Sequence, residues 1–396
     1  MTTPRTILKA EITSFSTSPT DHSNIHVTQA PFPPPPTKNE AQIRVIYAGF
    51  SGADVNMARG TYPLQRKAPL TPGYCLVGVV EALPKSDNAN NTFKVGEYVV
   101  AVTVYDAQSE VVNLPVKSLV GTPDRLAGRL GVRRDGDDDA RRKRDRLLQQ
   151  ICALALDWNT AHGMVERTGS VKEGDVVFIH GLSGAVGQAL LVLCLLKGAF
   201  VYGTASKRNH EKLLGSHGNV KGVFDYREKG WVEEMKGELG TVGGGKGSGV
   251  DVVYDALGFE SWDESYSILS YKRGGVLVGY GGNQSALTGD SSPRKPWWYI
   301  LKLLGRGIWG SVSQLVTGQG RRTSFYWIKP GREECRRDLT ELMELLGEGK
   351  IEVPMKGVWD LTTEGLREAH RSWGKMEGMG SLLIRVEGVE RDGTLA

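Results

Sequence analysis

The sequence predicts an α/β protein of two domains, one strand-dominated and one built on a doubly wound parallel sheet. Three observations carry this. The chain has 396 residues, enough for two domains at roughly 150 residues each. Its first part repeats short β-branched runs between turn residues, at Ile43 to Ala48, Val77 to Val80 and Tyr98 to Val104. After Gly169 the pattern becomes strand, glycine loop, helix, strand: Val176 to Ile179, then Ala185 to Lys197, then Phe200 to Thr204. Further apolar runs at Val250 to Tyr254 and Gly275 to Val278 continue the alternation expected of a parallel sheet covered on both faces.

Composition narrows the function classes. With 40% hydrophobic and 24% charged residues the chain is an ordinary globular one, not disordered or fibrous. The 49 basic and 45 acidic residues leave a net charge of +4, too balanced for a nucleic-acid footprint. Cys75, Cys152, Cys194 and Cys335 are far apart in sequence, which suits a reducing compartment and builds no structural metal knuckle. Met1 to Ala10 lacks the apolar core of a secretory signal. The apolar run from Ala189 stops at Lys197, well short of the ~18 residues that cross a bilayer, so the expected location is cytoplasmic. Glycine is the outlier: 51 residues, about 13% against an average near 7%.

Three segments fall outside the regular pattern. Pro33 to Pro36 offers no ladder donors and reads as an extended lead-in to the Ile43 strand. Residues 121–150 crowd nine basic and six acidic side chains together and read as a solvated loop. Gly237 to Gly249 holds seven glycines in thirteen residues and reads as a flexible surface excursion.

The chemistry-bearing motif is Gly181-Leu182-Ser183-Gly184-Ala185-Val186-Gly187, which follows a strand and opens a helix. One glycine serves a tight turn, one the close approach of backbone to a pyrophosphate, and one helix-on-strand packing, while the helix N-terminus supplies N–H donors. At the end of the next strand an NAD site places a carboxylate on the ribose. This chain has Ser206, Lys207 and Arg208 there. A hydroxyl and two cations would hold a 2′-phosphate that a carboxylate would repel, so the expected cofactor is NADP(H).

At this point the residues resemble the medium-chain dehydrogenase/reductase superfamily, and within it the zinc-free quinone oxidoreductase-like branch. The likeness runs through Ala48 to Asp54, Arg59 to Pro63, Pro72 to Tyr74, Phe93 to Glu97, Asn159-Thr160-Ala161, the Gly181 loop, Phe224 to Glu228, Asp251 to Asp255 and Glu348 to Ile351. It implies a GroES-like catalytic domain from both chain ends (1–160 and 316–396) around a Rossmann domain (161–315), with a cofactor cleft at the junction and a homodimeric assembly. It also implies that Ser206, Lys207 and Tyr226 contact the 2′-phosphate of NADPH, and adds Thr160, Gly258 and Tyr280 to the cofactor set.

In zinc-dependent relatives a Cys stands at Ser51, and a His and a Glu stand at Tyr74 and Cys75. Ser and Tyr are poor zinc ligands and one thiol cannot hold a catalytic ion, so no metal is expected. His22 and His26, spaced i, i+4 in a polar stretch, read as solvent-exposed side chains and not as ligands. Without a Lewis acid an activated acceptor is the better substrate: a small apolar quinone or enone, whose developing charge is delocalised onto oxygen. Tyr62 matches a tyrosine that lines the substrate cleft in relatives and is either a donor to substrate oxygen or an aromatic wall. Ser51 replaces an Asn common in the branch, which opens the substrate class. Alternatives are a zinc-free alcohol dehydrogenase and a catalytically weak, NADPH-binding, membrane-associated or interaction protein. The segment Pro296-Trp297-Trp298-Tyr299 running to Trp309, with Lys295, Lys302 and Arg306, fits either a helix lying on a membrane or, as the commoner case, a lid or dimer-contact helix.

Overall fold

The computed structural model describes residues 5–16, 18, 20–84, 92–131, 138–216, 218–228, 230–242, 249–258, 261–282, 296–317 and 319–388. The chain divides into two compact units, Met1–Asn159 with Lys329–Ala396, and Thr160–Ile328.

The first unit is strand-dominated. β1 (Thr6–Ile12) and β2 (Ile25–Pro31) form an antiparallel pair. β3 (Glu40–Phe50), β4 (Cys75–Ala82), β5 (Tyr98–Val102), β6 (Val111–Pro115) and β7 (Leu119–Gly121) follow in the main sheet. The proline lead-in has no donors to satisfy, and its carbonyls are used: Asn113 donates to Pro34 at 2.9 Å.

The second unit contributes six parallel strands. They are β8 (Val176–Ile179), β9 (Phe200–Thr204), β10 (Val220–Phe224), β11 (Val252–Asp255), β12 (Val276–Gly279) and β13 (Arg322–Phe325). Their order is β10-β9-β8-β11-β12-β13, so the chain reverses direction across the sheet between β8 and β11. This is the doubly wound arrangement that the alternating pattern predicts, and ligands in such sheets bind outside the carboxyl ends of the strands at that switch point. The unit extends beyond residue 315 to Ile328, because β13 adds itself to the parallel sheet beside β12. The chain then returns to the first unit, where β14 (Met355–Asp360) and β15 (Ser381–Arg385) extend the main sheet to β3.

Three expectations need correction. The charged segment 121–150 is not a loop: among its described residues the helices Asp124–Leu130 and Asp138–Ala153 form. Its charges occupy exposed faces, with Lys143 and Asp139 paired at 2.6 Å across one turn, while Leu126, Leu130, Leu147, Leu148 and Ile151 are buried. The high charge density hid an apolar stripe. The Gly-rich excursion also begins as helix, Trp231–Val242, since Trp231, Met235 and Leu239 at i, i+4, i+8 anchor one face in the core. Trp231 stacks on Phe178 with centroids 5.0 Å apart; residues 243–248 lie outside the described ones. Finally, His22 and His26 are half-buried. His26 lies on β2 and its ring is approached by Arg367 at 3.4 Å, and the His22 ring lies 5.9 Å from that of His370.

No helix among the described residues is long and apolar enough to cross a membrane.

The core of the first unit holds one carboxyl that should report pH. Asp157 is buried and accepts a 2.6 Å hydrogen bond from Ser381, and desolvation pushes its pKa up to about 7. The folded state therefore binds this proton more tightly than an unfolded Asp, which titrates near 3.9. Its stabilising contribution is full below about pH 4 and is lost as pH rises through about 7. Melting temperatures of the wild type and of Asp157→Asn should diverge between about pH 5 and 8, the wild type losing ground as pH rises. A difference that stays constant over that range contradicts this assignment.

Candidate active site

In the second unit the chain turns from β8 into the helix Ala185–Leu196 through the glycine loop. Gly181 has φ +75°, a left-handed conformation that an L side chain adopts only under strain. A Cβ on Gly187 would lie 2.0 Å from the Gly181 carbonyl oxygen, so the helix sits directly against the turn. The loop is fastened to β9: Leu182 N–H donates to the Thr204 carbonyl at 2.8 Å and Gly181 N–H to the Thr204 hydroxyl at 3.1 Å. Ser183, Gly184, Ala185 and Val186 remain at least partly exposed around the helix N-terminus, where N–H donors and the helix dipole favour an anion.

The neighbouring strand ends supply the rest. Ser206 follows β9 and Tyr226 follows β10, and their hydroxyls lie 3.4 Å apart. Lys207 and Arg208 are exposed on the turn Lys207–Asn209. Glu228 approaches Lys207 at 3.8 Å. Gly258 and Tyr280 follow β11 and β12, and Tyr280 N–H donates to the Asp255 carbonyl at 3.0 Å. Thr160 is buried on the helical turn Asn159–Gly163, which is flanked by π-helical turns at Leu154–Trp158 and Met164–Thr168. Sequence reasoning missed the buried network under these strand ends. Ser261 and Ser265 each donate to Asp255 at 2.7 Å, and the His180 ring lies 2.8 Å from the Ser265 hydroxyl. It ties the end of β8, immediately before Gly181, to the end of β11.

In the first unit the organising residue is Asp54, also missed. It is fully buried, and desolvation pushes its pKa up to about 6, against the pull of backbone and side-chain donors. One oxygen accepts from Ser51 N–H at 2.8 Å, and the other from Gly73 N–H at 3.1 Å and the Gln108 amide at 3.2 Å. Ser51 is the N-cap of the helix Gly52–Ala58 in a complete capping box. Its hydroxyl is occupied with Ala53 N–H and Asp54, which gives it a structural task. The S-x-x-D spacing was a readable signal for this.

Asp54 thereby holds the Pro72-Gly73-Tyr74 turn. The Tyr74 hydroxyl meets that of Tyr62 at 2.7 Å. Tyr74 is buried and Tyr62 half-buried, and burial pushes both phenols up, so both stay protonated at neutral pH. Tyr105 is held nearby through Arg66, whose guanidinium lies 4.3 Å from its ring and whose N–H donates to its hydroxyl.

These residues do not fit a catalytic zinc. The Ser51 hydroxyl is committed to its cap, and Tyr74 is a neutral phenol. Cys75 is buried with Sγ directed at the Cys152 carbonyl at 3.6 Å, and Cys152 and burial push its thiol up, away from the thiolate a metal needs. Among the described residues no group of three or more His, Cys, Asp or Glu side chains is placed to hold a metal ion.

Comparison with known proteins agrees with this architecture. Residues 37–129 match the family model described as alcohol dehydrogenase GroES-like domain, and residues 185–310 match the one described as zinc-binding dehydrogenase. The chain is 28% identical over 360 residues to the mouse synaptic vesicle membrane protein VAT-1 homolog-like, covering 89% of this chain and 76% of that one. It is 25% identical over 302 residues to human quinone oxidoreductase, covering 75% and 81%. The solved structure of Escherichia coli quinone oxidoreductase complexed with NADPH superposes with a TM-score of 0.71 at 20% identity, covering 96% of this chain and 99% of that one. The chain belongs to the medium-chain dehydrogenase/reductase superfamily of oxidoreductases, in its quinone oxidoreductase-like group.

Asp54→Ala tests the organising role. Four donors would lose their acceptor in this site, costing about 2–4 kcal/mol of stability, with Asp54→Asn recovering part of it. Denaturant unfolding that shows the alanine variant as stable as the wild type contradicts the assignment.

Proposed function

We propose that the chain is an NADPH-dependent, zinc-independent oxidoreductase that delivers hydride to a small apolar quinone or α,β-unsaturated carbonyl. The observation that carries the reading is the set of Ser206, Lys207, Arg208 and Tyr226 at the ends of β9 and β10. Two hydroxyls and two cations stand where an NAD site would present a carboxylate, and they offer charge-assisted hydrogen bonds to a 2′-phosphate. The relative from Escherichia coli, whose structure was solved with NADPH, is consistent with this. The N–H groups from Ser183 to Gly187 take the pyrophosphate, and Thr160, Gly258 and Tyr280 complete the cofactor set.

NADPH, when bound, supplies the hydride. The first unit supplies donors. Two hydroxyls joined by one hydrogen bond spend one of their two hydrogens on each other. We assign to the Tyr62–Tyr74 pair the O–H that meets a substrate oxygen, and burial keeps both phenols protonated. Such a donor stabilises the enolate-like or phenolate-like oxygen formed as hydride reaches carbon. A metal-free site of this kind suits an acceptor whose charge is already delocalised better than it suits a simple alcohol.

NADPH oxidation followed at 340 nm against quinones, enones and enoyl thioesters tests the proposal. Turnover with at least one class is expected. Tyr62→Phe and Tyr74→Phe should each lower kcat by roughly 10- to 100-fold while leaving NADPH affinity unchanged. NADPH that binds but is not oxidised by any acceptor gives the chain instead to the catalytically weak, nucleotide-binding reading. Oxidation of simple alcohols with NADP⁺ gives it to the alcohol dehydrogenase one.

A further inference from the structure

A third phenol stands beside the Tyr62–Tyr74 pair without joining it. Tyr105 follows β5, and the segment that carries it is laid along the turn from Thr71 to Tyr74. Thr103 N–H donates to the Tyr74 carbonyl at 2.8 Å, Asp106 N–H to the Thr71 carbonyl at 3.1 Å, and the Thr103 hydroxyl to the Gly73 carbonyl at 2.8 Å. From the other side, the loop that carries Tyr62 reaches it through Arg66. The Arg66 backbone N–H donates to the Tyr105 hydroxyl at 3.1 Å, and the guanidinium lies 4.3 Å from the ring centre. Asp106 completes the clamp, accepting from that guanidinium at 2.8 Å. Tyr105 also adds to the upward push on the phenols of both Tyr62 and Tyr74, so its hydroxyl shares their surroundings.

The backbone is strained where it presents this side chain. Val104 has φ +81° and Asp106 φ +71°, so both neighbours of Tyr105 are left-handed, and Val104 is β-branched, the type that tolerates this least. Leu64, in the loop of Tyr62 and Arg66, has φ +54° and is fully exposed. Among the described residues Ser170 is the one other non-glycine case. Left-handed non-glycine residues gather at active sites and ligand clamps, where the surrounding structure holds them in place.

A tyrosine hydroxyl has one hydrogen to give. At Tyr105 the Arg66 N–H uses the oxygen as acceptor, and among the described residues no acceptor takes the hydrogen. The first unit thus offers two separate donor positions, the Tyr62–Tyr74 pair and Tyr105. An enone has one oxygen to place against them, whereas a quinone has two. Resting on the hydride-transfer function proposed above, we infer that Tyr105 is a further substrate contact that selects quinones over monocarbonyl enones, donating to the second quinone oxygen while the Tyr62–Tyr74 pair meets the first.

Calorimetric titrations of the full-length protein with duroquinone and with cyclohexenone, NADP⁺ being present in both, test this. Tyr105→Phe keeps the ring beside Arg66 and removes only the hydroxyl; Arg66 is exposed, so water takes over its N–H. The substitution should weaken duroquinone roughly three- to tenfold, the worth of one neutral hydrogen bond, and leave cyclohexenone affinity and the melting temperature at wild-type values. Duroquinone affinity that the substitution leaves intact overturns the inference. So does an equal loss for both compounds, which makes Tyr105 a purely structural residue, or a wild type that does not bind duroquinone. The hydride-transfer reading fails separately: duroquinone bound through Tyr105 but never reduced by NADPH refutes that reading and leaves this contact standing.

Discussion

The second unit depends on one close approach, that of Gly187 to the carbonyl of Gly181. Any side chain at Gly187 would lift the helix Ala185–Leu196 off the turn, and with it the ring of N–H groups that face an anion. The same turn is pinned to β9 by two hydrogen bonds to Thr204 and stands directly after His180, which is tied through Ser265 to Asp255. A local steric condition thus aligns the carboxyl ends of β8, β9 and β11 around the point where the sheet order reverses. The same alignment puts the basic corner at Ser206 to Arg208, which follows β9, at that edge of the sheet.

The first unit depends in a comparable way on a buried carboxyl. Asp54 lies in a site that resists its charge, and its hydrogen bonds to Ser51, Gly73 and Gln108 offset the desolvation. What this arrangement secures is the placement of the Tyr74 hydroxyl beside Tyr62. The chemistry assigned to the pair therefore rests on a residue that need not touch substrate, and the position a zinc ligand would fill is given over to capping a helix.

Much of the second unit was legible because its signals are local. β8, β9 and the helix after the glycine loop fall within a residue of the runs that predict them, since buried parallel strands are continuous β-branched segments. The turn geometry of the glycine loop was legible for the same reason. The charged helices at 124–130 and 138–153 were obscured because charge density outweighed the spacing of Leu126, Leu130, Leu147 and Ile151 as a signal. The Tyr62–Tyr74 contact and the His180–Ser265–Asp255 network could not be read, being products of strand register and loop packing between residues far apart in sequence. Asp54 lay between: its capping-box spacing was visible, but nothing local showed that Gly73 and Gln108 would converge on it. The Trp-rich helix showed its composition in the sequence, and only the fold revealed which of its sides faces outward.

The central claim, that the strand ends of the second unit select a 2′-phosphorylated dinucleotide, is tested most directly by calorimetric titration of the protein with NADPH and with NADH. Hydrogen bonds to a charged group contribute about 1.5–3 kcal/mol each, so NADPH should bind at least about tenfold more tightly. The advantage should shrink on Lys207→Ala and again on Tyr226→Phe. NADH binding as tightly as NADPH, or a preference that these substitutions leave untouched, would contradict the account.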